Sequence, residues 1–235
     1  MRSISSLCLA VLILTAGAAG AEAGKLKGYM FGDYYYVVRA DDNEADYPQK
    51  QNAFQFRRIY FTYDRSLGDD FSMRYRLEAN DAGFGSGSKM TPFVKHAYLR
   101  WLGAVGSADL YMGLQGTPTF ALSEALWGYR SIEKTVLDLN KVGSSADLGV
   151  ALQGRAGRLA YHVMVGNGPG QKPESDNGKK LYGSVSFAPS EAMVLEGYAD
   201  YNMLPADREE VTLKGFLGLK WEHLRVGLEP FVRVN

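Results

Sequence analysis

Residues 71–80 read Phe-Ser-Met-Arg-Tyr-Arg-Leu-Glu-Ala-Asn, apolar at every odd position and polar or charged at every even one. Side chains alternate faces along a strand, so this segment predicts a strand with one greasy face and one face carrying Arg74, Arg76 and Glu78. Comparable period-2 segments recur along the chain. They predict strands over 26–38, 54–64, 71–80, 93–101, 110–115, 148–155, 159–165, 181–188, 193–202, 211–221 and 225–234. The connections alternate in length. Long stretches at 39–52, 81–91, 116–147 and 166–180 interleave with short ones at 65–70, 102–109, 156–158, 189–192 and 222–224. The stretch 203–210 is middling.

A soluble antiparallel sheet also alternates, with its apolar face inward. Segments of about ten residues, short turns on one side and long loops on the other, and large aromatics near segment ends are the signature of an outer-membrane barrel. The predicted fold is therefore an all-β, antiparallel, up-and-down transmembrane β-barrel over residues 24–235. Residues 1–23 predict a signal peptide: Arg2, an apolar core Leu7–Leu14, and Ala21-Glu22-Ala23 as cleavage site. The single cysteine, Cys8, lies within that core and leaves with it, which removes disulfides, thiol catalysis and thiolate metal sites from the mature chain. The chain carries 26 basic and 26 acidic side chains; loss of Arg2 and Glu22 keeps them equal, so no basic excess points to nucleic acid. No apolar run is long enough for a membrane helix. Eleven strands leave Asn235 on the side opposite the first strand's start, whereas a closed antiparallel barrel needs an even number. The expectation is a chain lacking its last strands; the alternative is a twelve-stranded barrel counted one short.

The segment Phe54-Gln55-Phe56-Arg57-Arg58-Ile59-Tyr60-Phe61-Thr62-Tyr63 resembles the second strand of the phosphate-selective porin O and P family. Lys95-His96-Ala97-Tyr98-Leu99-Arg100-Trp101 is similar to another strand of it. Residues 113–120 with 127–134 resemble its third loop. The resemblance spans most of 28–201 and implies a sixteen-stranded barrel, a homotrimer, and a third loop folded into the pore. The dense lysine ladder and closely spaced arginine cluster of true phosphate selectivity are not found here.

Parity assigns the candidate lumen residues. Ile59, Phe61 and Tyr63 face lipid, which turns Arg58, Tyr60 and Thr62 inward. Arg74, Arg76 and Glu78 follow on the third strand, and His96, Tyr98 and Arg100 on the fourth. Lys214, Lys220, Arg225 and Arg233 are inward further on, set against Asp33, Asp64, Glu196, Asp200 and Glu229. Arg58, Arg74, Arg76 and Arg100 could form a basic strip that concentrates anions, or could pair with nearby carboxylates and stiffen the wall. Loop 116–147 is the candidate constriction, with Glu124, Arg130, Glu133, Lys134 and Asp138 facing solutes and a helix-like spacing over Leu122–Leu139 that has Ser123 as candidate N-cap. Tyr29, Phe31, Tyr34, Tyr35, Tyr36, Phe54, Tyr75, Trp101 and Trp221 suit an interfacial girdle or the lumen lining.

The functional expectation is a water-filled channel for passive diffusion of small hydrophilic solutes, anion- or phosphate-preferring, with outer-membrane lipid and further copies of the chain as partners. No catalytic group, cofactor or metal enters it. His96, His162 and His223 are scattered, and no serine sits in a nucleophile context. The rivals are a non-conducting barrel that anchors a complex or binds a surface ligand, an outer-membrane hydrolase, and a soluble periplasmic β-protein.

Overall fold

A computed structural model describes residues 23–39, 49–81, 87–206 and 208–235. The expected signal segment, apart from Ala23, lies outside the described residues, as do most of the loop at 39–52 and of the Gly-rich stretch 83–87. The strands are β1 (Lys25–Tyr36), β2 (Asn52–Ser66), β3 (Phe71–Ala79), β4 (Phe93–Val105), β5 (Ala108–Gly116), β6 (Ala146–Ala156), β7 (Leu159–Gly166), β8 (Lys180–Ser190), β9 (Met193–Leu204), β10 (Arg208–Lys220), β11 (Arg225–Leu228) and β12 (Phe231–Val234). Two short helices, α1 (Ala121–Trp127) and α2 (Val136–Leu139), interrupt the connection from β5 to β6.

Each strand pairs antiparallel with the next, from β1 through to β11, in one up-and-down sheet that is not closed. β11 and β12 both pair with β10, in line with one another. Pro230 has no N–H to give a ladder, so it splits the single predicted last strand in two. Its carbonyl still accepts from Gly215 N at 3.0 Å.

Alternation of connection length holds along most of the sheet. The short side has turns at 67–70, 106–107, 157–158, 191–192 and 221–224; the other side has 37–51, 80–92, 117–145 and 167–179. Gly106 and Gly157 take left-handed backbone (φ 61° and 60°) in two-residue hairpin turns, a conformation costly for other residues. Two expected loops shrink. The stretch 102–109 is mostly strand, because Leu102 and Ala104 continue β4 past Gly103, and 203–210 reduces to 205–207.

The two faces differ sharply. Val150, Val163, Val165, Leu181, Val185, Leu195 and Leu213 lie on the outer face and are exposed, with Val185 at 55 %. Their sequence neighbours point inward and are buried: Ala151, Met164, Tyr182, Ser184, Glu196, Thr212 and Lys214. Fully buried side chains among the described residues include Glu78, Gln115, Asp147 and Thr212. Charges are almost never fully buried unless paired or hydrogen-bonded; Glu78 is ion-paired and Asp147 is held by hydrogen bonds alone, as set out next.

Candidate functional site

The inner face of β1–β5 carries the residues that parity assigned to a lumen. Register places Asp64 of β2 opposite Arg74 of β3. Arg74 donates to both carboxylate oxygens, at 2.6 and 3.1 Å, and Lys27 of β1 reaches the same group at 3.0 Å. Arg100 donates twice to Asp109 Oδ2, at 3.0 and 2.5 Å. Arg58 and Lys95 both pair with the fully buried Glu78, Lys95 at 3.1 Å. Arg76 stands apart. It makes no ion pair with a carboxylate among the described residues; its Nε donates to Thr62 Oγ1 at 2.8 Å and its guanidinium lies 5.6 Å from the Tyr60 ring centre. Of the four arginines proposed as a basic strip, three are therefore paired and one retains free donors. The cations still outnumber their partners: Lys25, Lys27, Arg57, Arg58, Arg74, Arg76, Lys95 and Arg100 against Asp33, which pairs with Arg57, and Asp64, Glu78 and Asp109.

Two β-bulges shape this wall. The register of β1 against β2 slips at Phe31/Gly32, which leaves Arg57 unmatched; that of β3 against β4 slips at Arg76/Leu77, which leaves Lys95 unmatched. A bulge places two residues against one and re-aims the extra side chain. Lys95, outward by strict parity, thereby joins His96 on the inside and donates to Ser145 Oγ of the long loop at 2.5 Å. Parity missed Lys95 for this reason. The signal was present in the sequence. Apolar positions are even at Phe54 and Phe56 and odd at Ile59 and Phe61, and the same switch runs from Val94 to Ala97 and Leu99.

The loop 117–145 crosses over the inner face. At its root Thr117 hydrogen-bonds Thr119 (3.1 Å), Thr119 meets Tyr198 Oη of β9 (3.0 Å), and Tyr198 donates to Asp200 at 2.5 Å. Asp200 pairs with Lys180 at 3.1 Å. Nearby, Tyr182 and the Gly168 amide both donate to Asp147 at 2.8 Å, and Lys214 pairs with Glu196 (2.7 Å) and Glu229 (3.6 Å). At the loop's far side Arg225 of β11 donates to the carbonyls of Leu126 and Trp127, at 3.2 and 3.1 Å, holding the C-terminal end of α1. The helix-like spacing over 122–139 folds as two short helices, Ala121–Trp127 and Val136–Leu139. Phe120, not Ser123, occupies the N-cap, and Ser123 is buried and donates back to the Phe120 carbonyl at 3.1 Å.

The loop charges form their own cluster. Arg130 pairs with Glu124 (3.0 Å) and Asp138 (3.1 Å), and Lys134 reaches Asp138 at 3.9 Å. Burial, the largest influence, pushes the Glu124 carboxyl above the usual glutamate range, against the pull of Arg130. Glu133 is exposed, accepts from the Lys134 amide, and does not join the cluster. Wall and loop meet around two cavities. One, of about 540 Å³, has Arg57, Arg58, Arg130 and Lys134 on its walls. The next, of about 440 Å³, is lined by Arg58, Tyr60, Arg76, Lys95, Glu124 and Arg130 among others. Arg58 and Arg130 border both. Ala121 and Ala125 border the second cavity and a third of about 540 Å³, where Arg100, Tyr111, His162 and Glu196 face one another.

The candidates Arg58, Arg76, His96, Glu124 and Arg130 thus converge on the second cavity, Glu133 and Lys134 line the first and Arg100 the third, whereas Glu78 is fully buried against Arg58 and Lys95 and Arg74 lies nearer the short-turn end. Of the aromatics, Tyr29, Phe31 and Tyr35 line the inside and Tyr34, Phe54, Tyr75 and Trp101 the outside. No family model and no curated protein matches this chain.

Proposed function

We propose that this chain forms the wall of an outer-membrane porin, a water-filled channel for passive diffusion of small hydrophilic solutes with an anion preference. One observation carries the reading: an outer face of exposed Val, Leu and Phe backed by an inner face of paired charges, crossed by a loop that leaves a series of adjoining polar cavities. Lipid satisfies the apolar outside, and water or solute the polar inside. Anions entering the first cavity meet Arg57 and Arg58, pass Arg130, and reach Arg76, whose donors no carboxylate occupies. Selectivity then comes from fixed charge and from the width left by the loop, with no chemical step. Insertion in an outer membrane, a sixteen-stranded wall, trimer assembly and phosphate preference belong to the same proposal and rest on the family resemblance.

The pairing of Arg58, Arg74 and Arg100 favours the rival, a non-conducting barrel whose arginines only stiffen the wall. The reversal potential of the purified protein in a planar bilayer under a KCl gradient separates the two. Stepwise conductance with a chloride-favouring potential is expected. Folded barrels that insert without conducting would make the anchoring or ligand-binding barrel the better account.

A further inference from the structure

Beside Arg76 the inner wall is aromatic. Tyr60 stacks on Tyr29 with ring centres 6.2 Å apart and planes 15° from parallel, and Phe31 lies 5.6 Å from Tyr29. Of these rings Tyr60 lines the cavity described next, while Tyr29 backs it from the edge strand and lies outside that lining. Across the cavity of about 440 Å³ stand Phe120, Ala121 and Ala125, the alanines one helical turn apart at the edge of α1. The volume lies within the range of small-molecule sites. The two carboxylates in this chamber, Glu124 and Asp138, are both held by Arg130, so they do not cancel Arg76. A guanidinium with free donors thus stands in a chamber where the rings of Tyr60 and Phe120 and the methyls of Ala121 and Ala125 interrupt a lining otherwise made of polar and charged side chains, Lys95, His96 and Arg130 among them. The pairing recurs at the next level of the wall, where Arg100 lies 5.5 Å from the ring centre of Tyr111 and Tyr98 lies 5.4 Å from it with its plane tilted by 59°, although there Asp109 accepts from Arg100.

A hydrated inorganic anion gains nothing from ring faces or alanine methyls. An anion with a flat apolar body gains twice, by seating its carboxylate on Arg76 and its ring against Tyr60 and the alanine methyls. We infer that the chamber selects organic anions bearing a planar apolar body, of which an arenecarboxylate is the simplest, over small aliphatic or inorganic anions. The inference rests on the porin reading and names its solute class.

The test uses the whole protein in planar bilayers in symmetric KCl. Benzoate, acetate and inorganic phosphate are added in turn, and the concentration that halves the chloride current is read for each. Benzoate is expected to block at a concentration about tenfold lower than acetate, the size of one aromatic contact. Tyr60→Ser is expected to bring the two within about threefold of each other, the remainder coming from the alanine methyls. Tyr29→Ser, which removes the ring stacked on Tyr60 while leaving the chamber lining itself intact, is expected to narrow the gap in the same direction. Equal block by all three anions in a conducting channel would overturn the inference and leave the porin reading intact, as would a benzoate preference unchanged in both variants. A folded barrel that never conducts KCl would remove the porin reading and this inference together.

Discussion

At the scale of the residue, pairing separates arginines that look alike in the sequence. Arg74→Ala and Arg76→Ala each remove one formal charge, so they change the distant field equally. They differ in what a passing anion can touch: Asp64 takes the Nε–Nη2 edge of Arg74 in a bidentate ion pair, whereas the terminal nitrogens of Arg76 carry no carboxylate and the residue lines the cavity. Contact with a charged donor is worth more than the same charge at several ångströms through water. Arg76→Ala is expected to shift the reversal potential toward potassium by clearly more than Arg74→Ala does; equal shifts would mean that only summed charge matters. The loop adds a pH dependence. Burial places the Glu124 titration above that of an ordinary glutamate, so its neutral form gains population early as pH falls. Each step of that protonation removes a negative charge beside Arg130, Asp138 and Lys95 and leaves the cations less compensated. Chloride preference is expected to rise on mild acidification, before the ordinary carboxylates titrate. Glu124→Gln should show the higher preference throughout and a flat profile in that window. A profile identical in parent and variant would remove Glu124 from the permeation path.

At the scale of the element, alternation made the strands legible from sequence because each strand turns exposed apolar side chains to one face and polar or paired ones to the other, residue by residue. What alternation could not show without attention to its phase were the bulges at Arg57 and Lys95. A reader who holds parity constant through a strand loses Lys95, and with it the bridge from Glu78 to Ser145 that ties wall to loop. The loop was legible as an unusually long connection, but its path was not. Nothing local in 117–145 announces that Thr119 will meet Tyr198 or that Arg225, about a hundred residues on, will hold the end of α1; those contacts exist only once eleven strands curl around them. Hydrogen bonds from a charged donor are worth roughly 1.5–3 kcal/mol each. Arg225→Leu should therefore free the loop without unfolding the sheet. The expected readout is faster tryptic cleavage at Arg130 and Lys134 together with a noisier open current, at an unchanged thermal midpoint. An unchanged cleavage rate would show that the Thr119 and Ser145 ends hold the loop unaided.

At the scale of the whole molecule, the decisive property is which face is wet, and two adjacent residues can decide it. Val185 and Ser186 sit side by side on β8. Val185 points outward, exposed among Leu181, Phe187 and Val163, and Ser186 points inward, opposite Glu196 and bordering a cavity of about 540 Å³. In a lipid-embedded barrel, an arginine on the outer face near mid-depth costs about 2–4 kcal/mol, while one in the lumen is solvated and has a carboxylate beside it. Val185→Arg should accordingly lose most of its yield of folded barrel in lipid vesicles, read by heat-modifiable migration in gel electrophoresis, and Ser186→Arg should fold close to the parent level. A soluble sheet with a protein-filled interior requires the opposite order. There Val185→Arg would place a charge in water at almost no cost, and Ser186→Arg would force a guanidinium among buried side chains. The same pair of variants thus tests the membrane reading independently of any conductance, because it asks only which solvent each face of one strand has been fitted to.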